Sequence, residues 1–266
     1  MVLMGQGEGG RMRIQAVLLD IGGVLLDGEA PLPGAAEALD WLRVAGLPFM
    51  LLTNTTRTAC AALLERLAAA GLVVEPEALL TPAIFAREWL IQEGRRPLLL
   101  IHPGLRADFS GVDESAPDVV VVGDAGEGFT YAALNAAFRL LMRGAPLIAL
   151  SGSRYFREGG ELFLDAGPFV RLLEEASGME AMQLGKPGAT FFRRAVERLG
   201  VSAEAVLMIG DDVQSDVQGA RAVGLQAMLV RTGKYRPGDE RACPPGAVVA
   251  ADVLEAVVQV TALHQG

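Results

Sequence analysis

Short aliphatic runs, each closed by a polar residue or a glycine, alternate with helix-like segments along almost the whole chain. This alternation restricts the fold more than any other feature. IQAVLLDI (14–21) and LPFMLLT (47–53) read as strands buried on both faces, because their apolar residues run on without a polar alternate. Between them, PGAAEALDWLRVAG places Ala38, Leu39, Leu42 and Val44 on a helix closed by Gly46, and a second helix over 57–70 ends at Gly71. The pattern returns near the C-terminus. Helix 188–199 ends at Gly200, AVLMIG (205–210) is a strand, SDVQGARAVG is a short helix stopped by Gly224, and QAMLVR (226–231) is a strand. Such a succession predicts an α/β protein with a mainly parallel sheet.

Residues 82–179 carry strands of their own, PLLLI, DVVVVG and PLIAL, and helices over 83–93, 129–143 and 168–176. Each flanking half supplies only part of a sheet. The sequence therefore predicts a discontinuous core, 12–81 plus 180–266, interrupted by an inserted unit, with 1–11 as a flexible tail. A chain of 266 residues is long enough for two such cores.

Several function classes drop out on composition. A formal charge of −9 disfavours nucleic acid as a partner, since phosphate backbones attract a basic face. The apolar runs are too short and too often broken by Gly, Pro or charge to span a membrane, and MVLMGQGEGGRMR lacks the apolar stretch of a secretory leader; a cytoplasmic protein is expected. Cys60 and Cys243 have no metal-ligand spacing and read as two reduced thiols. With only His102 and His264, the latter in the C-terminal tail, a Ser-His-Asp triad or His-rich metal site is disfavoured. GQGEGG fits a dinucleotide-binding pattern literally but precedes the first strand, where that motif has no use. Of 23 basic residues only Lys186 and Lys234 are lysines, so each compact ammonium invites a question about its place.

Ligands of open parallel sheets sit beyond the carboxyl ends of the strands. Polar residues cluster there: Asp20 after VLL, Thr53 and Asn54 after FMLL, Lys186 after AMQLG, and Asp211, Asp212 and Asp216 after VLMIG. Singly, each has a plain reading as a helix cap or turn former, and Thr53 and Asn54 in particular suit caps for the helix near Arg57. Together, the carboxylates, hydroxyl, amide and ammonium suit a metal ion and a phosphoryl group.

In order and placement these four motifs, Asp20-Ile-Gly-Gly-Val, Leu-Thr53-Asn54, Gly-Lys186-Pro and Gly-Asp211-Asp212 with Asp216, resemble those of the haloacid dehalogenase superfamily over about residues 14–235. The resemblance implies a Rossmann-like, doubly wound parallel core, with 82–179 as an inserted α/β cap. SRYFREGGELFLDAGPFVRLLEEASG followed by GKP is similar to the phospholysine phosphohistidine inorganic pyrophosphate phosphatase branch. It further implies that Asp20 is the nucleophile. Mg²⁺ is held by Asp20, Asp211 and the carbonyl of Gly22, with Asp216 behind them. By the same resemblance Thr53, Asn54 and Lys186 would bind the phosphate of a small phosphorylated substrate. The Arg-Tyr-Phe-Arg run at 154–157 of the cap reads either as a solvated loop or, through Arg154 or Tyr155, as a contact to the leaving group. A homodimer is compatible with the family.

One position departs from the pattern. Most members carry an acid two residues past the nucleophile, and the branch just named has Ser; here it is Gly22, which has no side chain. General acid–base help is worth about 10² to 10⁴ in rate. Two functions follow: a phosphohydrolase favouring good leaving groups, or a phosphometabolite-binding protein with little turnover. Asp27 and Glu29 are the nearby acids that could substitute.

Overall fold

The computed structural model describes residues 13–158 and 161–264. The tail expected over 1–11 and the glycine pattern within it lie outside the described residues. Two compact units emerge. One comprises the described residues through Thr53, Leu64–Leu80 and those from Lys186 onward; the other comprises Asn54–Leu63 and Thr81–Gly185.

The first unit opens with β1 (Ala16–Asp20), whose four apolar residues are wholly buried. A tight turn follows, in which Ile21 O accepts the amides of Val24, Leu25 and Leu26, and leads into a small hairpin, β2 (Leu26–Asp27) with β3 (Ala30–Pro31). Helix α1 (Ala35–Val44) buries Ala35, Ala38, Leu39 and Leu42, and Gly46, at a φ of 64°, turns the chain into β4 (Phe49–Leu52). Val44, expected on the buried face, is 81% exposed, because two residues past Leu42 it falls on the opposite side of the helix from the stripe Ala35, Ala38, Leu39 and Leu42. Helix α2 (Cys60–Ala69) begins later than expected, and β5 (Leu79–Leu80) follows it.

The second unit, which already holds the first residues of α2, continues with α3 (Pro82–Gln92), capped by Thr81, whose hydroxyl accepts the Ile84 amide. Then come β6 (Pro97–Leu100), β7 (Val119–Val122), α4 (Tyr131–Leu141), β8 (Leu147–Ala149), the antiparallel pair β9 (Tyr155–Glu158) and β10 (Glu161–Leu164), α5 (Ala166–Ser177) and β11 (Ala181–Gln183). The order β11-β8-β7-β6 is parallel throughout. Successive residues of β7 point to opposite faces: Val119 and Val121 join a core with Ala83, Leu90 and Phe109, while Val120 and Val122 join one with Ala137, Leu141 and Leu173. Relative to the inserted unit expected over 82–179, this unit also takes in 54–63 and, because β11 is its edge strand, 180–185.

Returning to the first unit, α6 (Ala189–Leu199), β12 (Val206–Gly210), α7 (Gly219–Ala222), β13 (Gln226–Val230), β14 (Val248–Ala250) and α8 (Val253–His264) complete it. The sheet reads β14-β13-β12-β1-β4-β5, all parallel, with β1 at its centre. The short helix expected after β12 forms as a wide turn over Val213–Gln218 running into α7. His264, read as part of a terminal tail, ends α8, which packs on α1. Helices α6 and α7 pack on each other, so the core is the doubly wound α/β sheet the sequence predicts. Among the described residues no helix is long and apolar enough to cross a membrane.

Phe191 and Phe192 of α6 are fully buried, and Phe192 Cε2 would lie only 2.7 Å from a Cβ placed on Gly219 at the start of α7. Phe192→Ala is expected to lower the stability of this unit by about 3–5 kcal/mol. A fall in the urea midpoint at unchanged slope is the readout, and an unshifted midpoint would contradict this packing.

Candidate active site

Strand order and register set the site. Asp20 ends β1 and pairs with Leu52 of β4, so Thr53 leaves the sheet beside it. On the other side Leu19 pairs with Ile209 of β12, so Asp211, one residue past that strand, emerges next to Asp20. All three residues are buried, and Asp216 and Lys186 are buried with them. One carboxylate oxygen from each of Asp20, Asp211 and Asp216 lies within 4.8 Å of the others.

Three carboxylates so close, out of water, repel one another, and Lys186 is the buried counterion. Its Nζ lies 2.8 Å from Asp20 Oδ1 and 2.7 Å from Asp216 Oδ1. Burial works against the ammonium, but Asp20 and Asp216 outweigh it and hold the Lys186 pKa above the ordinary value. Asp216 Oδ2 accepts the Asp212 amide at 3.1 Å, so both Asp216 oxygens are engaged by the protein. Burial, with the Asp20 charge adding to it and Lys186 opposing it, raises Asp216 to about 6. Gly210 makes room for that side chain: a Cβ there would stand 2.3 Å from Asp216 Cβ.

Asp211 differs from its neighbours. Its Oδ2 accepts the Lys234 amide at 2.7 Å, whereas Oδ1 is buried with no hydrogen-bond partner among the described residues. Burial, reinforced by the charge of Asp20, pushes its pKa to about 7. A buried, unpaired carboxylate oxygen is costly. A hard divalent cation is the partner that oxygens of this kind accept, so the residues fit Mg²⁺ or Ca²⁺. Asp20 adds to the donor set, since its contacts with Lys186 and with the Ile21 amide (2.8 Å) both fall on Oδ1. Asp212 instead serves structure: Oδ1 accepts the Gln214 and Ser215 amides at 3.0 and 2.9 Å, and Oδ2 meets Lys234 Nζ at 3.2 Å. Burial opposes its ionisation, but these contacts hold its pKa below the usual range.

Asp20, Lys186, Asp211 and Asp216 thus come together, with Thr53 at the adjoining strand end. Gly22 lies in the turn after β1, and a Cβ there would meet no atom within 4 Å. Asn54 follows Thr53 but groups with the second unit, where its Oδ1 would stand 3.1 Å from a Cβ on Gly185. The reading of Thr53 and Asn54 as helix caps does not hold, because α2 begins at Cys60 and Asp108 accepts the Cys60 amide at 3.0 and 3.1 Å. Arg154 and Tyr155 are exposed at the start of the β9–β10 pair in the second unit, with the guanidinium 5.9 Å from the Tyr155 ring centre. Of the acids considered as substitutes, Glu29 is exposed and pairs with Arg66 at 3.0 Å, and Asp27 is exposed in β2. Sequence reasoning singled out Lys234 by the scarcity of lysine but did not place it or Gly23 at Asp211, and it missed Thr232 and Gly233, which close around Asp211 with them; a Thr-Gly pair straight after a strand was the available signal.

A doubly wound parallel sheet with three carboxylates and one ammonium buried together beyond the ends of its central strands defines a class of α/β proteins equipped for a cation and an anionic group. Comparisons with known proteins narrow the class. A family described as haloacid dehalogenase-like hydrolase matches residues 17–114, and a second, HAD-hydrolase-like, matches 183–256. Phospholysine phosphohistidine inorganic pyrophosphate phosphatase of Bos taurus is 42% identical over 233 residues, covering 85% of this chain and 86% of its own. Among solved structures, 4-nitrophenylphosphatase from Thermotoga maritima superposes with a TM-score of 0.84 at 28% identity, covering 93% of this chain and 97% of that one. Glycerol phosphate phosphatase from Mycobacterium tuberculosis, solved in complex with calcium, gives 0.78 at 25%, covering 91% and 74%. The chain belongs to the haloacid dehalogenase-like hydrolases.

Removing the ammonium while keeping the carboxylates tests the charge arrangement. Lys186→Met is expected to cost about 3–5 kcal/mol of stability at neutral pH, because it strands buried charge. Denaturant unfolding measures it, and a variant as stable as the parent would refute the buried ion pairs.

Proposed function

We propose that the protein is a Mg²⁺-dependent phosphohydrolase acting on a small phosphorylated molecule through an aspartyl phosphate formed on Asp20. The observation that carries this reading is the pairing of Asp20 with a buried Lys186 beside an Asp211 oxygen that has no partner among the described residues. The phosphatase names of the similar proteins support it.

In this reading Asp20 attacks phosphorus, the bond from phosphorus to the leaving-group oxygen breaks, and the leaving group departs with the electron pair. Water then attacks the same phosphorus, releasing Asp20 and inorganic phosphate. The Thr53 hydroxyl and the Asn54 amide grip phosphoryl oxygens, and Lys186 offsets the negative charge gathered between Asp20 and the phosphate. Asp20, Asp211 and the main-chain carbonyl of Gly22 would hold Mg²⁺, with Asp216 fixing the site from behind. The cation supplies neutralisation between an anionic nucleophile and an anionic substrate. Arg154 and Tyr155 are the cap residues assigned to leaving-group selection.

Gly22 sets the preference. With no side chain there to give the leaving group a proton, substrates whose leaving group is stable as an anion turn over best: pyrophosphate, acyl phosphates and aryl phosphates ahead of alkyl or sugar phosphates. The same absence supports the second reading, a phosphometabolite-binding protein that hydrolyses nothing at a useful rate.

Phosphate release with Mg²⁺ from these four substrate types separates the two. The phosphohydrolase releases phosphate from the better leaving groups, whereas binding without release of any of them would establish the second reading. Asp20→Asn is expected to abolish release, and surviving turnover would eliminate the covalent route. The open space beside position 22 admits a longer side chain. Gly22→Asp is accordingly expected to accelerate alkyl phosphates by about 10² or more, and an unchanged rate would mean that another group supplies the proton.

A further inference from the structure

Two loops of the first unit meet around Asp211, one following β1 and the other following β13. In the sheet these strands flank β12, from which Asp211 emerges, so the loops join across the end of that strand. The junction has three parts. The Thr232 hydroxyl donates to the Gly23 carbonyl. The Lys234 amide donates to Asp211 Oδ2 at 2.7 Å. Gly23 and Gly233 bring their main chains against the carboxylate: a Cβ on Gly23 would stand 2.1 Å from Asp211 Oδ2, and one on Gly233 would stand 2.0 Å from it and 2.5 Å from Gly23 Cα. Both glycines have positive φ, 77° and 60°, which admits this approach.

Oδ2 is therefore enclosed by main chain and hydrogen-bonded, while Oδ1 of the same carboxylate is left buried and without a partner among the described residues. A carboxylate pinned by one oxygen cannot rotate to satisfy the other. We propose that Thr232-Gly233-Lys234 is a clasp that presents Asp211 Oδ1 to the divalent cation, with Thr232 as its positioning residue. Thr232 is the one link in the junction made by a side chain, and it touches Gly23 rather than any of the carboxylates. This rests on the metal reading of the site above. Groups that orient a ligand from behind govern affinity as the ligands themselves do.

The test titrates Mg²⁺ alone, with no substrate, into the parent protein, Thr232→Val, Thr232→Ala and Thr232→Ser by calorimetry, after thermal unfolding without Mg²⁺ has confirmed that each is folded. Val and Ala are expected to weaken Mg²⁺ binding about 10- to 100-fold, Ser to keep parental affinity, and phosphate release by Val and Ala to recover as Mg²⁺ is raised. Thr232→Ala, which only removes atoms, serves should the Val variant misfold. Parental affinity in the Val or Ala variant overturns the clasp while leaving the metal site intact. A parent protein that takes up no Mg²⁺ overturns the clasp and the metal reading together.

Discussion

Mutual repulsion among carboxylates held out of water is the constraint around which the first unit is arranged. Asp20, Asp211 and Asp216 share a space in which any pair of ionised groups opposes the other, and Lys186 reaches only two of them. Burial above all, with the charge of Asp20 adding to it, raises the pKa values of Asp211 and Asp216. Both stand above the ordinary 3.8, so the unfolded chain ionises them first and the folded protein loses stability relative to it. This cost is absent below about pH 4 and accrues as pH rises toward about 6 for Asp216 and 7 for Asp211. A fold tuned for stability alone would not keep such a cluster; a cation brought to it would offset much of the cost.

Glycine shapes this site at three points for one reason, which is the need for space beside a carboxylate. Gly210 gives way to Asp216, and Gly23 and Gly233 give way to Asp211. Gly22 is different, since nothing lies near where its side chain would be. The first three are demanded by packing, whereas no packing contact demands a glycine at position 22.

Much of this was legible in the sequence because polar residues that interrupt buried strands stand out. Asp20, Thr53 and Asp211 each follow an apolar run, and the parallel sheet lays those runs side by side as β1, β4 and β12; Lys186 follows β11, a strand of the other sheet, and stood out by the scarcity of lysine instead. The parts that escaped notice lack such contrast. The clasp works mainly through amides and carbonyls, which any residue type provides. The β9–β10 pair has an all-exposed second strand and so no alternation to read, and β11 is a three-residue edge strand of half-buried side chains. Helix α8 carries apolar residues around most of its circumference, which blurs the periodicity that marks a surface helix. The late start of α2 depends on Asp108, far away along the chain.

The central position of β1 has a consequence for how the chain is made. On the ribosome, β1 finds β4 soon after it emerges, but its other neighbour, β12, begins only at Val206. The four-stranded sheet of the second unit is complete once Gln183 has appeared. Translation therefore finishes the interrupting unit while the surrounding one still exposes a bare sheet edge, and the nascent protein must shelter that edge until β12 arrives.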